Sequence, residues 1–157
     1  MIILSKLADY GVIVATNLAA FPERQATAAA VAAETRLPRA TVAKLLKALA
    51  HAGLATATRG ASGGYRLARA AKAISIAEVV AAIDGDIGLT QCSVHMPECS
   101  RTTYCPTRPH WAAINRAVGE ALAAVSLDAM ITPAAFLPRR IPALSTSPEP
   151  DEPRYSA

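Results

Sequence analysis

The order and periodicity of this 157-residue sequence predict a mostly α fold carrying one small β-hairpin, with a long helix at the C-terminal end. Three observations carry that expectation. Apolar residues recur at helical spacing over most of the first 130 positions. One glycine-rich stretch, ATATRGASGGYRLAR, is flanked by short segments of strand character. The apolar share is 52% yet only 4% is aromatic, so much of it is alanine, which favours closely packed helices.

The elements follow in order. Ser5 is placed to cap a first helix running to about Ala20, with Leu4, Leu7, Tyr10, Val14 and Leu18 at helical spacing; Phe21-Pro22 ends it. A second helix is expected over 27–35, with Thr27 as N-cap. In RLPRATVAKLLKALAHAGL, Pro38 suits a first helical turn, Val42, Leu45, Leu46 and Leu49 form one apolar stripe, and Gly53 is the stop. Strands are expected at 55–58 and 65–68, around a tip at 59–64. Ser75 caps IAEVVAAID, which ends at Gly85. The segment CSVHMPECSRTTYC has no periodicity and is read as a loop. From about Pro109 a long helix presents Trp111, Ile114, Val118, Ala121, Leu122 and Val125 at near-heptad spacing. SLDAM adds a short final helix, and RRIPALSTSPEPDEPRYSA has the composition of a disordered tail. The boundaries drawn are 1–72 for a winged helix-turn-helix domain, 73–90 for a connecting helix and loop, 91–108 for the cysteine loop, 109–130 for the long helix, and 138–157 for the tail.

Charge separates the two halves. Residues 1–72 hold ten Lys or Arg against three Asp or Glu; residues 73–157 hold six against nine. A basic half beside an acidic one suits contact with a polyanion. Helix, helix, turn, helix and basic hairpin is the order of a winged helix-turn-helix. Arg39, Thr41, Lys44 and Lys47 fall outside the apolar stripe of the third helix. A major groove about 12 Å wide admits such a helix. Thr41 then meets a base edge or a phosphate, and the lysines meet phosphates. Arg59 and Ser62 stand at the wing tip, where glycines allow close approach to the duplex and an arginine suits a narrow minor groove. Each part has an ordinary structural explanation, since helical domains, hairpins and solvated basic faces are common. Their combination within about 45 residues points to double-stranded DNA as the partner.

All three cysteines, Cys92, Cys99 and Cys105, lie in the loop with spacing C-x6-C-x5-C. No apolar run reaches the roughly 18 residues of a membrane span, and the start lacks a secretory signal, so a cytoplasmic protein with reduced thiols is expected. The loop is too polar to be core. Zinc sites favour close C-x2-C pairs, which are missing, whereas wide gaps suit an iron–sulfur cluster. Spacing alone leaves iron–sulfur and zinc both open. A fourth ligand is needed in either case; His95, His110, Glu98, Asn115 and Asp9 are the candidates. His51, at the end of the third helix, is read as a surface or packing residue. Without a C-x-x-C pair or a phosphate loop, no enzymatic activity, small-molecule substrate or membrane partner is expected.

SKLADYGV, TVAKLLKALAHAGL, RGASGGYRLAR, ISIAEVVAAIDG and the three-cysteine loop followed by W-x-x-I-N together resemble the IscR-type family of small bacterial winged-helix regulators, over about residues 1–130. Within it, the likeness is greatest to the regulators of the SUF iron–sulfur assembly operon. The resemblance implies a homodimer held by the long C-terminal helix, a 2Fe–2S cluster on Cys92, Cys99 and Cys105, and repression or activation that depends on whether the cluster is present; a repressor that controls iron–sulfur assembly genes is the expected function. It places Arg59 at the wing arginine and Thr41 on the exposed face of the recognition helix, near its start. Better-known members carry a histidine three residues after the last cysteine; Arg108 stands there in this chain, and His110 follows as the candidate fourth ligand. The first cysteine gap is one residue longer than usual, and Ala43 occupies a recognition-helix position that is often acidic. The alternative is the same DNA reader with a structural zinc or a thiol-redox site.

Overall fold

A computed structural model describes residues 4–60, 62–85, 88–90 and 104–131. The elements are α1 (Lys6–Ala20), α2 (Ala28–Thr35), α3 (Arg39–His51), β1 (Ala55–Thr58), β2 (Gly64–Leu67), a 3₁₀ turn (Ala71–Ala73), α4 (Ile76–Asp84), α5 (Arg108–Ala123) and a second 3₁₀ turn (Leu127–Met130). The fold is thus mostly helical with a two-stranded antiparallel hairpin. The 3₁₀ turn at Ala71–Ala73 was not expected from the sequence.

Caps act where the sequence placed them. Ser5 Oγ accepts the Ala8 N–H at 3.0 Å and donates to Asp84 Oδ1 at 2.8 Å, joining the start of α1 to the end of α4. Thr27 Oγ1 accepts from Ala30 N–H. Ser75 and Glu78 form a reciprocal capping box on α4. Pro38 departs from expectation: it is the N-cap of α3, one residue before the helix, and its carbonyl accepts the Val42 N–H at 3.0 Å. Gly53 lies one residue past the C-cap Ala52, at φ 73. Around it Leu54 N–H bonds to Leu49 O and Gly53 N–H to Ala50 O, the paired closure that favours glycine at this position.

One core joins α1 to α4, β1 and the last 3₁₀ turn, with Val14, Val31, Val42, Leu45, Leu46, Leu49, Ile74, Val79 and Leu127 at its centre. The α3 stripe is buried as read. The α1 stripe is buried only in part: Val14 and Leu18 are buried with Ala8, Gly11, Ala15 and Ala19, and Tyr10 packs against the core, while Leu4 and Leu7 stay exposed. Small residues prevail because α4 packs close; a Cβ on Gly11 would come within 2.7 Å of Ile83 Cγ1.

The second wing strand starts one residue earlier than expected, in the register Ala55↔Leu67 to Thr58↔Gly64. Tyr65 also exchanges two backbone hydrogen bonds with Ala26, at 2.8 and 2.9 Å, fastening the wing to the α1–α2 connection. This approach explains Gly64, and the tight wing turn explains Gly63. A Cβ on Gly63 would meet Thr58 O at 2.3 Å, and one on Gly64 would meet Ala26 C and O at 2.8 Å. Gly64→Ala is therefore expected to cost about 1–3 kcal/mol through backbone displacement. Thermal unfolding would show this as a lowered Tm; an unchanged Tm would mean that the wing can shift freely.

No residue of α5 is fully buried. Its seam divides: Leu122 and Val125 pack on the core, while Trp111 and Ile114 are 37% and 44% exposed. Beyond α5 the backbone returns to the domain, with Ile76 N–H on Val125 O at 2.9 Å and Leu127 N–H on Ile74 O at 2.7 Å. Most of the cysteine segment (91–103) and the tail assigned to 138–157 lie outside the described residues.

Candidate functional site

Opposite the buried stripe of α3, Ala40, Lys44, Lys47 and His51 succeed one another at i, i+4, i+7 and i+11, so they share one solvent-facing ridge. Arg39 is exposed on the first turn, and Thr41 is half-buried on the flank toward the core. Ala43 is likewise half-buried. The N-cap Pro38 supplies no side-chain hydrogen bond, so the first turn of α3 has no side-chain cap. Arg59 and Ser62 are exposed at the wing tip, which is closed by Gly63 N–H on Gly60 O at 3.0 Å, with Gly60 at φ 115.

Two ion pairs form among the described residues, and neither uses a cation of α3 or the wing tip. Arg24 grips Glu34 through two hydrogen bonds of 2.7 Å, and Asn17 Nδ2 adds a third at 2.9 Å. Arg24 above all, and then Asn17, hold the Glu34 carboxyl down at about 2. Arg69 pairs with Glu78 and donates to Ala73 O at 2.8 Å. Glu78 is held below the usual carboxylate range first by the Ser75 backbone N–H, then by Arg69. Glu34 and Glu78 are thus engaged by structural partners, while Arg39, Lys44, Lys47 and Arg59 make no ion pair with a described residue.

The cysteine site is described in part. Cys105 is half-buried just before α5, with Sγ 3.3 Å from Thr107 Oγ1. His110 is exposed on the first turn of α5, and Asp9 is exposed on the first turn of α1. Cys92 and Cys99, with His95 and Glu98, lie outside the described residues. No set of three or more potential metal ligands comes together among the described residues. Asn115 Oδ1 accepts the Leu89 N–H at 3.1 Å, which ties the lead-in of the cysteine segment to α5. That oxygen therefore serves the backbone, a role that sequence spacing does not reveal.

Sequence reasoning also passed over Arg36. It was counted as charge, yet it stands at φ 56 in the turn before α3. The available signal was the end of a helix without the expected glycine.

The family described as Rrf2, iron-dependent transcriptional regulator, matches residues 4–133. Protein rrf2 of Nitratidesulfovibrio vulgaris is 33% identical over 96 residues, covering 61% of this chain and 64% of that protein. The HTH-type transcriptional regulator IscR of Vibrio parahaemolyticus is 33% identical over 89 residues, covering 57% of this chain and 52% of that protein. The match thus spans about half to two-thirds of each of these relatives. Among solved structures, CymR, the global cysteine regulator of B. subtilis, superposes with a TM-score of 0.65 at 25% identity, covering 83% of this chain and 97% of that one. IscR of T. potens gives 0.64 at 24% identity, covering 83% of this chain and 86% of that one, a likeness of fold.

Proposed function

The chain belongs to the Rrf2 family of iron-dependent transcriptional regulators, and from that premise we propose that it is a dimeric repressor that reads DNA with α3 and the wing and senses iron–sulfur status at its cysteines. One observation carries the DNA reading: the ridge of α3 and the wing tip present Arg39, Lys44, Lys47 and Arg59 without an ion pair to a described residue, while Glu34 and Glu78 are engaged elsewhere. Thr41 offers a hydroxyl and a methyl to a base edge, the lysines neutralise phosphates, and Arg59 with Ser62 approaches the minor groove. A second copy of the chain covers Trp111 and Ile114 on α5, setting two recognition helices about one DNA turn apart.

Cys92, Cys99 and Cys105 are the proposed holders of a 2Fe–2S cluster, with His110 the candidate fourth ligand. Three thiolates suit that group by donor chemistry, and Cys105, half-buried at the N-terminal end of α5, lies where the helix dipole favours negative charge. When bound, the group supplies a labile redox centre. The chain's own part is positional: Asn115 holds Leu89, and Cys105 stands where the segment joins α5, so both ends of the cysteine segment bear on the dimer helix. Likeness to IscR of Vibrio supports iron–sulfur sensing. The resemblance in the wing and loop motifs supports control of iron–sulfur assembly genes of the SUF type from a cytoplasmic location.

Protein purified without oxygen is expected to be brown, with iron and acid-labile sulfide in equal amounts, and Cys105→Ser to be colourless. Colourless wild-type protein holding one zinc per chain would replace the sensor with a structural metal. Metal-free protein that resists reconstitution would move the signal to thiol oxidation.

A further inference from the structure

We propose that Arg36 is a DNA-backbone contact, carried at a turn position whose conformation calls for glycine. The inference rests on the DNA-binding reading above. Arg36 sits at φ 56, ψ 31, and among the described residues it alone combines a positive φ with a side chain. The left-handed region crowds Cβ against the following carbonyl, so helix ends of this kind usually take glycine.

The path of the chain imposes the conformation. The Arg36 and Leu37 N–H groups both bond to Ala32 O, the latter at 3.2 Å, and Leu37 packs on the core. Any residue at this position would be held the same way. The arginine side chain contributes nothing visible to that arrangement. It is exposed and makes no hydrogen bond or ion pair with a described residue. The acid two positions back, Glu34, is already held by Arg24 and Asn17. A strained arginine without a partner among the described residues points to a partner outside the chain.

Its position identifies the chemistry of that partner. Arg36 precedes the first residue of α3, Arg39, by three positions, and both are exposed at the leading end of the helix that bears the basic ridge. The end of α3 beside them has no side-chain cap. A guanidinium matches the paired oxygens of a phosphate, and a phosphate strand borders any groove that the helix enters.

The test compares full-length wild type with Arg36→Gly, Arg36→Asn and Arg36→Lys, on a duplex selected from a random pool and on an unrelated duplex. Glycine and asparagine tolerate the conformation and remove the charge. Both variants should hold their Tm or raise it by up to about 4 °C. Both should lose about three- to tenfold in affinity on either duplex, and the slope of log K against log salt should flatten by about 0.9. Arg36→Lys should keep the slope. Unchanged affinity and slope in the glycine variant, or a clear fall in its Tm, would overturn the proposal and leave the DNA reading intact. A wild-type protein that binds neither duplex would overturn both.

Discussion

Replacing Lys44, Lys47 and Arg59 together by alanine should lower affinity for duplex DNA by at least about 100-fold near 0.1 M salt. The reasoning is electrostatic. Each phosphate that a cation neutralises contributes about 0.9 to the slope of log K against log salt, so losing all three flattens it by about 2.7. The same substitution should leave folding almost untouched, because all three side chains are exposed and none is paired with a described residue. Surface changes of that kind usually shift stability by no more than about 0.5 kcal/mol. Titrations at several salt concentrations, with a thermal melt on the same preparation, decide the matter. An unchanged slope would sink the assignment of α3 and the wing as the DNA face. A collapsed Tm would mean that these side chains are structural instead.

Leu127→Ala should be the most damaging single truncation near the C-terminal end of the described chain. Leu127 is fully buried although it follows a helix with no buried residue of its own. Its N–H is bonded to Ile74 O and the Val125 O two residues earlier receives Ile76 N–H, so the backbone ties the end of α5 to the start of α4, and the Leu127 side chain is part of the core at that joint. Truncating such a leucine costs about 2–5 kcal/mol, the upper end applying where the cavity cannot collapse. At about 2–4 °C per kcal/mol, the Tm should fall by roughly 4–20 °C. Met130→Ala, three residues on and 45% exposed, is the control and should move it little. Equal effects from the two would show that the final turn is not docked as described.

Much of the fold was legible because its signals are local. Ser5, Thr27 and Ser75 declare helix starts by what a hydroxyl does for unpaired N–H groups within one turn. The α3 stripe is legible because Val42, Leu45, Leu46 and Leu49 are the only large apolar residues of that helix, so just one face can be buried. The basic ridge follows by subtraction. The α1 stripe held at Val14 and Leu18 but misled at Leu4 and Leu7, for the complementary reason. That helix has large apolar residues on more than one side, and which face is buried depends on where α4 lies; Gly11 and Ala8 win over Leu4 and Leu7 because α4 comes close.

By itself, then, the sequence determined the helix limits to within a residue or two, the wing, the charge of its face, and the gathering of three cysteines in one segment. Tertiary structure decided the rest. It pairs Tyr65 with Ala26, which makes glycine necessary at Gly64. It turns Asn115 toward Leu89, splits the α5 seam between the core and solvent, and holds Arg36 in the left-handed region. The physical reason is range. Caps, turns and periodicity act over a few neighbouring residues, whereas burial and close backbone approach are set by elements that are distant in the chain and meet only once the core has formed.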